Sequence, residues 1–413
     1  MTKKILLIIG ILVIVGVALF LIFGSQPQTP GESRVGFSIR DYLPFGSDNT
    51  GTETPTDETG TGEETPTIIP TDQPIPRLRR LSSEPVAGAV IFNVGTTSVV
   101  RFVEKGTGNV YEAVSDSLAI QRLTNTTIPK IIRAFWLPNG SGFLAQTLES
   151  GSEIIETSFV KLNKNKASTT SESLTPFNTT IGKLPTGIKE ISIKPDGSKI
   201  FYYTANGSSK WFTANPDGTG SVAVMTHPLT EWLPKWISGN TVIMQTKGSS
   251  VDTGYNYSFD VSSKVLKKTG VGMSGISTNP NPDGSLSIVS SGGAYPQLYL
   301  VDNKKVTLKE LNVNSLAEKC VWLKEKILSV YCAVPNQIPN GNYPDIWYKG
   351  LVSTEDFIEK IDLNNNIFSN IADLSSLSDQ KIDVVDMSAP PDETHLIFRN
   401  KIDGYLWMLR IAE

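Results

Sequence analysis

Histidine and cysteine are almost missing from these 413 residues, with two of each. A structural zinc site needs about four thiolates and imidazoles close together, and His227 and His395 stand far apart with no cysteine beside them. Charge is also sparse, at 19% against roughly 25% in an average soluble protein. The 37 basic and 41 acidic side chains give a net charge of −4, which offers nucleic acid no general attraction. No Gly-x-Gly-x-x-Gly or phosphate loop occurs in a strand-to-helix setting. The nearest string to a Gly-x-Ser-x-Gly nucleophile elbow, Gly272-Met-Ser-Gly-Ile, lacks the final glycine and lies in a strand-rich stretch. These gaps argue against hydrolase triads, metal centres and nucleotide sites. No cofactor, no metal and no catalytic residue is expected.

What is present begins at the N-terminus. After MTKK, the nineteen residues Ile5 to Phe23 carry no charge, and at about 1.5 Å each they span roughly 28 Å, enough for a bilayer core. The run exceeds the roughly 7–15 apolar residues of a cleavable signal peptide, so an uncleaved signal anchor is expected, with cleavage as the alternative. No cysteine follows to carry a lipid. Lys3 and Lys4 precede the run and the first charge after it is Glu32, which leaves residues 1–4 as a cytoplasmic stub. The rest of the chain would then lie outside the plasma membrane, periplasmic or extracellular.

Residues 24–75 change character. DNTGTETPTDETGTGEETPT has six acids (Asp48, Glu53, Asp57, Glu58, Glu63, Glu64) and no base, a composition that predicts a disordered linker. About fifty such residues reach roughly 40 Å. One apolar island, GFSIRDYLPFG, places Phe37, Ile39, Tyr42, Leu43 and Phe45 within it. It reads as a docking motif or a membrane-surface segment, or as a chance cluster.

Beyond Pro76 the sequence shows no amphipathic helix. Short β-branched and aromatic runs are broken every eight to twelve residues by Gly, Asn, Asp or Pro, as in a many-stranded antiparallel fold. Several segments read strand, tight turn, strand: FWLPNGSGFLAQ from Phe135, ISIKPDGSKIFYY from Ile191 and STNPNPDGSLSIVS from Ser277. Their turn positions and the looser equivalents are Gly95, Gly140, Gly197, Gly239, Gly284 and Lys326, spaced 45, 57, 42, 45 and 42 apart. A last turn is expected near Glu393. In a second register, third strands end in Asp or Asn, at Asn215, Asp260 and Asp302, and more loosely at Asp116, Asn163 and Asp362. Two features with one period indicate an all-β, seven-bladed β-propeller over residues 76–413, about 48 residues per blade. The last unit supplies only three strands. Pro76–Ser82 is expected to complete it and seal the ring.

IKPDGSKIFYYTANGSSKWFTANPDGTG, residues Ile193 to Gly220, resembles the TolB-type WD40-like repeat, as does the stretch 277–302. The resemblance implies an extracytoplasmic binding or scaffolding propeller, or an accessory domain. Here an anchor and linker stand where TolB has a further N-terminal domain, so TolB's own partners do not carry over.

Two features of the propeller region suggest sites. Cys320 and Cys332 bracket one hairpin within about two residues of directly opposite, so they either form a disulfide or are two buried thiols. The sixth unit carries an insertion between its second and third strands, AVPNQIPNGNYPDIWYKG (Ala333 to Gly350), where other units use a few residues. Its Asn336, Gln337, Asn342, Tyr343, Asp345 and Trp347 have side chains suited to sugar or peptide. Tyr255, Tyr295 and Tyr405 fall in corresponding loops. Alternatively, Tyr343 and Trp347 pack the insertion onto its own blade. The expected function is a non-catalytic protein- or glycan-binding scaffold of the cell envelope, with no nucleic-acid partner. The rival is an envelope glycan hydrolase or lyase using channel carboxylates. In a third reading the linker island docks the partner.

Overall fold

The computed structural model describes residues 74–148, 154–165, 175–324 and 328–411. They form a β-propeller of seven four-stranded antiparallel blades. Blades 1 to 6 cover residues 86–122, 131–183, 188–227, 232–274, 277–310 and 320–373 in chain order. Blade 7 takes three strands from residues 384–410 and its fourth from β1, Leu78–Arg80. In blades 1 to 6 the strands follow chain order, and first strands of neighbouring blades touch around the axis. The fourth strand of blade 5, Thr307–Glu310, is exposed throughout.

The ring closes as the sequence implied, through fewer residues than Pro76–Ser82. Leu78 stands opposite Leu409 and Arg80 opposite Trp407 of the blade-7 strand Leu406–Arg410. Leu78 and Leu81 are buried. The buried Arg79 reaches out of its blade, and its guanidinium donates to the carbonyls of Val114 and Ser117 in blade 1. Pairing within blade 7 and this inter-blade contact together leave no open seam.

The repeating turns owe their shape to local chemistry. Gly95, Gly140, Gly197, Gly239 and Gly284 all have positive φ, and Glu393 takes the same conformation in blade 7. In the Pro-Asp-Gly turns the aspartate accepts from the residue two positions on: Asp283 Oδ1 takes Ser285 N at 2.8 Å and Ser285 Oγ at 2.6 Å. These hairpins also wedge blades together. A Cβ on Gly284 would lie 2.1 Å from Ile237 Cδ1 of blade 4. Gly284→Ala combines that clash with strained φ, so it should lower stability by about 1–3 kcal/mol in urea melts. A loss below about 0.5 kcal/mol would show that the turn relaxes freely.

Neighbouring blades are further tied by residues at the ends of first strands. Trp136 Nε1 donates to Gly88 O (3.1 Å), Trp322 Nε1 to Asn279 O (2.9 Å), and Trp236 N to Ser192 Oγ (2.7 Å). Between blades 3 and 4 the ties become an aromatic core of Phe201, Tyr203, Trp211, Trp232, Trp236 and Phe259.

The turn aspartates make stability depend on acid. Asp217 and Asp283 are held below the usual carboxylate range by the hydroxyls, then the amides, of Thr219 and Ser285. Asp260 is lowered by the amide, then the hydroxyl, of Ser263. A carboxyl whose folded pKa is depressed stabilises above its unfolded value of about 4, and that contribution disappears as pH falls through the folded value. The urea midpoint should therefore drop between about pH 5 and pH 2. A midpoint that holds or rises in acid would contradict this.

The apolar run 5–23, the acidic linker, its island (Phe37, Ile39, Tyr42, Leu43, Phe45) and Lys326 lie outside the described residues. Among the described residues no helix is long and apolar enough to cross a membrane.

Candidate functional site: the insertion-bearing face and the channel beneath it

In an antiparallel blade the second-to-third connection lies at the same end as the link to the next blade. In blade 6 that connection is residues 336–355, between the strands Ser329–Pro335 and Asp356–Asp362. It contains one short helix, α1 (Asp345–Tyr348). The segment reaches sideways over its neighbours. Tyr343 bonds Gly293 of blade 5 in both directions, at 2.9 and 3.0 Å, and Asp345 Oδ2 accepts from Ser250 N of blade 4 at 2.5 Å. One turn of helix cannot hold itself, so it is fixed by what it buries. Tyr343 and Trp347 are only 2% and 3% exposed and pack with Leu316, against which Ile338, Ile346, Val352 and Val385 lean.

Under Trp347 lies a buried charged centre. Lys319, from the 3-10 turn Ala317–Lys319 entering blade 6, donates from Nζ to Thr354 Oγ1, Asp356 Oδ2 and Asp383 Oδ1, each at 2.7 Å. Trp347 Nε1 donates to both oxygens of Asp383, at 3.1 and 2.9 Å, and Thr354 N donates to Oδ2 at 3.1 Å. Val384 N donates to Asp356 Oδ2 at 2.7 Å. Burial pushes the Asp356 carboxyl up, against the pull of Lys319, and its Oδ1 has no partner. This centre joins the insertion to the first strands of blades 6 and 7.

Two cavities flank the insertion. One, of about 480 Å³, lies in the central channel, lined by Lys235, Asn279, Glu318, Tyr348, Asp386, Arg399 and Lys401 among others. Asp386 has a positive φ at an irregularity in its strand's pairing. Arg399 Nη2 holds Asp386 Oδ2 at 2.5 Å. Glu318 is exposed to the lumen but ringed by protein, and this desolvation raises its carboxyl even though Tyr348 Oη donates to it at 2.5 Å. The other is an open groove of about 830 Å³ between blade 4 and α1, bounded by Leu229, Tyr255, Asp345, Tyr348 and Lys349. Tyr348 is common to both.

No family model matches the chain, and no curated protein does. Its likenesses are to solved structures. An oligogalacturonate lyase in complex with manganese superposes with a TM-score of 0.55 at 12% identity, covering 81% of this chain and 93% of that one. The oligogalacturonate lyase of Vibrio parahaemolyticus gives 0.52 at 12%, covering 84% and 93%. TolB from Acinetobacter baumannii gives 0.42 at 12%, covering 64% and 59%. The likeness is one of fold. Among the described residues no group of three or more His, Cys, Asp or Glu is placed to hold a metal ion.

The structure distributes the sequence-selected residues unevenly. Tyr255 and Asp345 meet in the groove, with Tyr255 in the strand Thr253–Asp260 and covered by Lys268 Nζ 3.4 Å from its ring centre. Tyr295, in the loop next to Gly293, is exposed, as are Asn336, Gln337 and Asn342 on the insertion. Tyr343 and Trp347 face inward and dock the insertion, and Trp347 also lines the channel cavity. Tyr405 sits under Arg80 at 4.8 Å, on the outer side of blade 7. Cys320 and Cys332 stand directly opposite in their hairpin and are bonded, with an S–S distance of 2.08 Å. Lys235, Glu318, Tyr348, Asp386, Arg399 and the Lys319 centre were not selected from sequence. Their one signal is weak: Lys319 and Asp383 are charges abutting apolar strand starts.

Proposed function

We propose that this chain is a membrane-anchored, extracytoplasmic binding or scaffold module whose protein or glycan partner docks on the insertion-bearing face. The observation that carries this is the surface around the groove. Val251 is 81% exposed, Leu351 70% and Tyr295 63%, and like Leu229 and Tyr348, which bound the groove, they lie in connections at the insertion-bearing end of their blades. Apolar side chains gathered at one rim of a polar surface mark an interaction site more than isolated ones do. The run 5–23 supports the anchor, and a Cys320–Cys332 bond suits an oxidising exterior.

A pull-down from membrane extract tests it, comparing the full chain with a Val251→Asp, Tyr295→Ala variant. Both side chains are solvent-exposed, so the fold should be unaffected. Retention of the specific partner should fall at least about tenfold. An unchanged bound set would refute the docking face.

A second reading, a glycan-cleaving enzyme, draws on Glu318, whose carboxyl is raised by desolvation and, less, by Asp386 of the neighbouring blade. Cleavage products from envelope glycan that vanish in Glu318→Gln would favour it.

A further inference from the structure

We propose that the channel cavity under Tyr348 is a binding site for a small zwitterion, a molecule of amino-acid to dipeptide size with one carboxylate and one primary amine. This site adjoins the docking face at Tyr348, and neither proposal depends on the other.

Most charges in the cavity are already matched. Asp386 and Arg399 neutralise each other through Nε and Nη2, at 3.0 and 2.5 Å. Lys401 donates to Val352 O at 3.1 Å and lies 3.8 Å from Asp383 Oδ2. Lys319 is held between Asp356 and Asp383 behind the wall. Two lining groups remain without a countercharge. Lys235 Nζ contacts Asn279 Oδ1 at 2.6 Å and no carboxylate among the described residues. An ammonium has three donors, so two are left for the lumen. Glu318 receives Tyr348 Oη at 2.5 Å and Ser277 Oγ at 3.4 Å, both on Oε1, and no bond reaches Oε2. Both side chains are exposed to the lumen yet ringed by protein, and this desolvation pushes Lys235 down to about 8 and Glu318 up.

The ligand class follows from that pair. An anion alone would leave Glu318 unmatched, a cation alone would leave Lys235, and a neutral sugar would leave both. A zwitterion sets its carboxylate on Lys235 and its ammonium on Glu318, so that each charge gains a charge-assisted bond. A volume of about 480 Å³ lies within the range of small-molecule sites, roughly 300–1,000 Å³. Tyr348 closes the side toward the groove and fixes Glu318 for that contact.

The test uses the full-length chain, with the twenty L-amino acids and glycylglycine as probes in saturation-transfer NMR, followed by calorimetry on those that bind. At least one zwitterion should bind with Kd below about 1 mM, and its N-acetyl and carboxamide derivatives should each bind at least about tenfold more weakly. Glu318→Gln, which keeps the Tyr348 bond, and Lys235→Met, which keeps the stem, should each cost at least about tenfold. Absence of any zwitterion binding with Kd below about 1 mM would overturn the proposal. So would equal binding of the blocked derivatives, a test on the wild-type chain that no folding defect can confuse.

Discussion

Lys319→Met is expected to lower the stability of the propeller by about 3–5 kcal/mol at neutral pH. The substitution keeps most of the side-chain volume but leaves the buried Asp356 and Asp383 without their shared cation. Two enclosed carboxylates then face each other, with Lys401, 3.8 Å from Asp383, as the remaining positive neighbour. Burial already raises the Asp356 carboxyl in the intact protein, and without Lys319 it should rise further. The penalty should therefore shrink as pH falls toward about 4, because a protonated carboxyl needs no cation. Adding Asp356→Asn and Asp383→Asn to Lys319→Met should recover much of the loss, since removing a whole buried cluster costs less than removing one partner. Urea melts of the single and triple variants at two pH values decide the matter. A single-variant loss below about 1 kcal/mol would mean that the centre is solvated.

The second large effect concerns closure. A chain starting at Glu84 lacks β1, so the strand Leu406–Arg410 becomes an open edge and Leu78 and Leu81 no longer cover the core. Losing two buried leucines costs about 3–6 kcal/mol, before the bonds of Arg79 to blade 1 are counted. The exposed edge also invites pairing with a second copy. The truncated chain should melt well below the parent and elute partly as oligomer. Equal melting and a clean monomer would show that blade 7 is stable with three strands.

The fold was legible because its information is local. Asp196, Asp217 and Asp283 each sit one residue before a positive-φ glycine and accept from a Ser or Thr two positions on, so sequence spacing records the hairpin. Closure was legible too, since three strands in the last unit left one to be supplied. The insertion was visible by its length. Its direction was not, because a four-residue helix has too little pattern to say which aromatic faces in. Trp347 and Tyr348 are adjacent, and the sequence left ligand binding and packing of Trp347 as open alternatives. The charged centre left even less trace: Lys319 meets Asp356 and Asp383 across separations of 37 and 64 residues, through a blade contact that no local period encodes.

Site-specific photo-crosslinking tests the docking face most directly. One photoreactive side chain replaces Tyr295, on the insertion-bearing face, and another replaces Asn240, in a first hairpin at the opposite end of blade 4. On intact cells the Tyr295 position is expected to give a discrete adduct with one partner, lost in Val251→Asp, while Asn240 gives none. Adducts at Asn240 alone, or equal adducts at both positions, would contradict a partner docked beside the insertion.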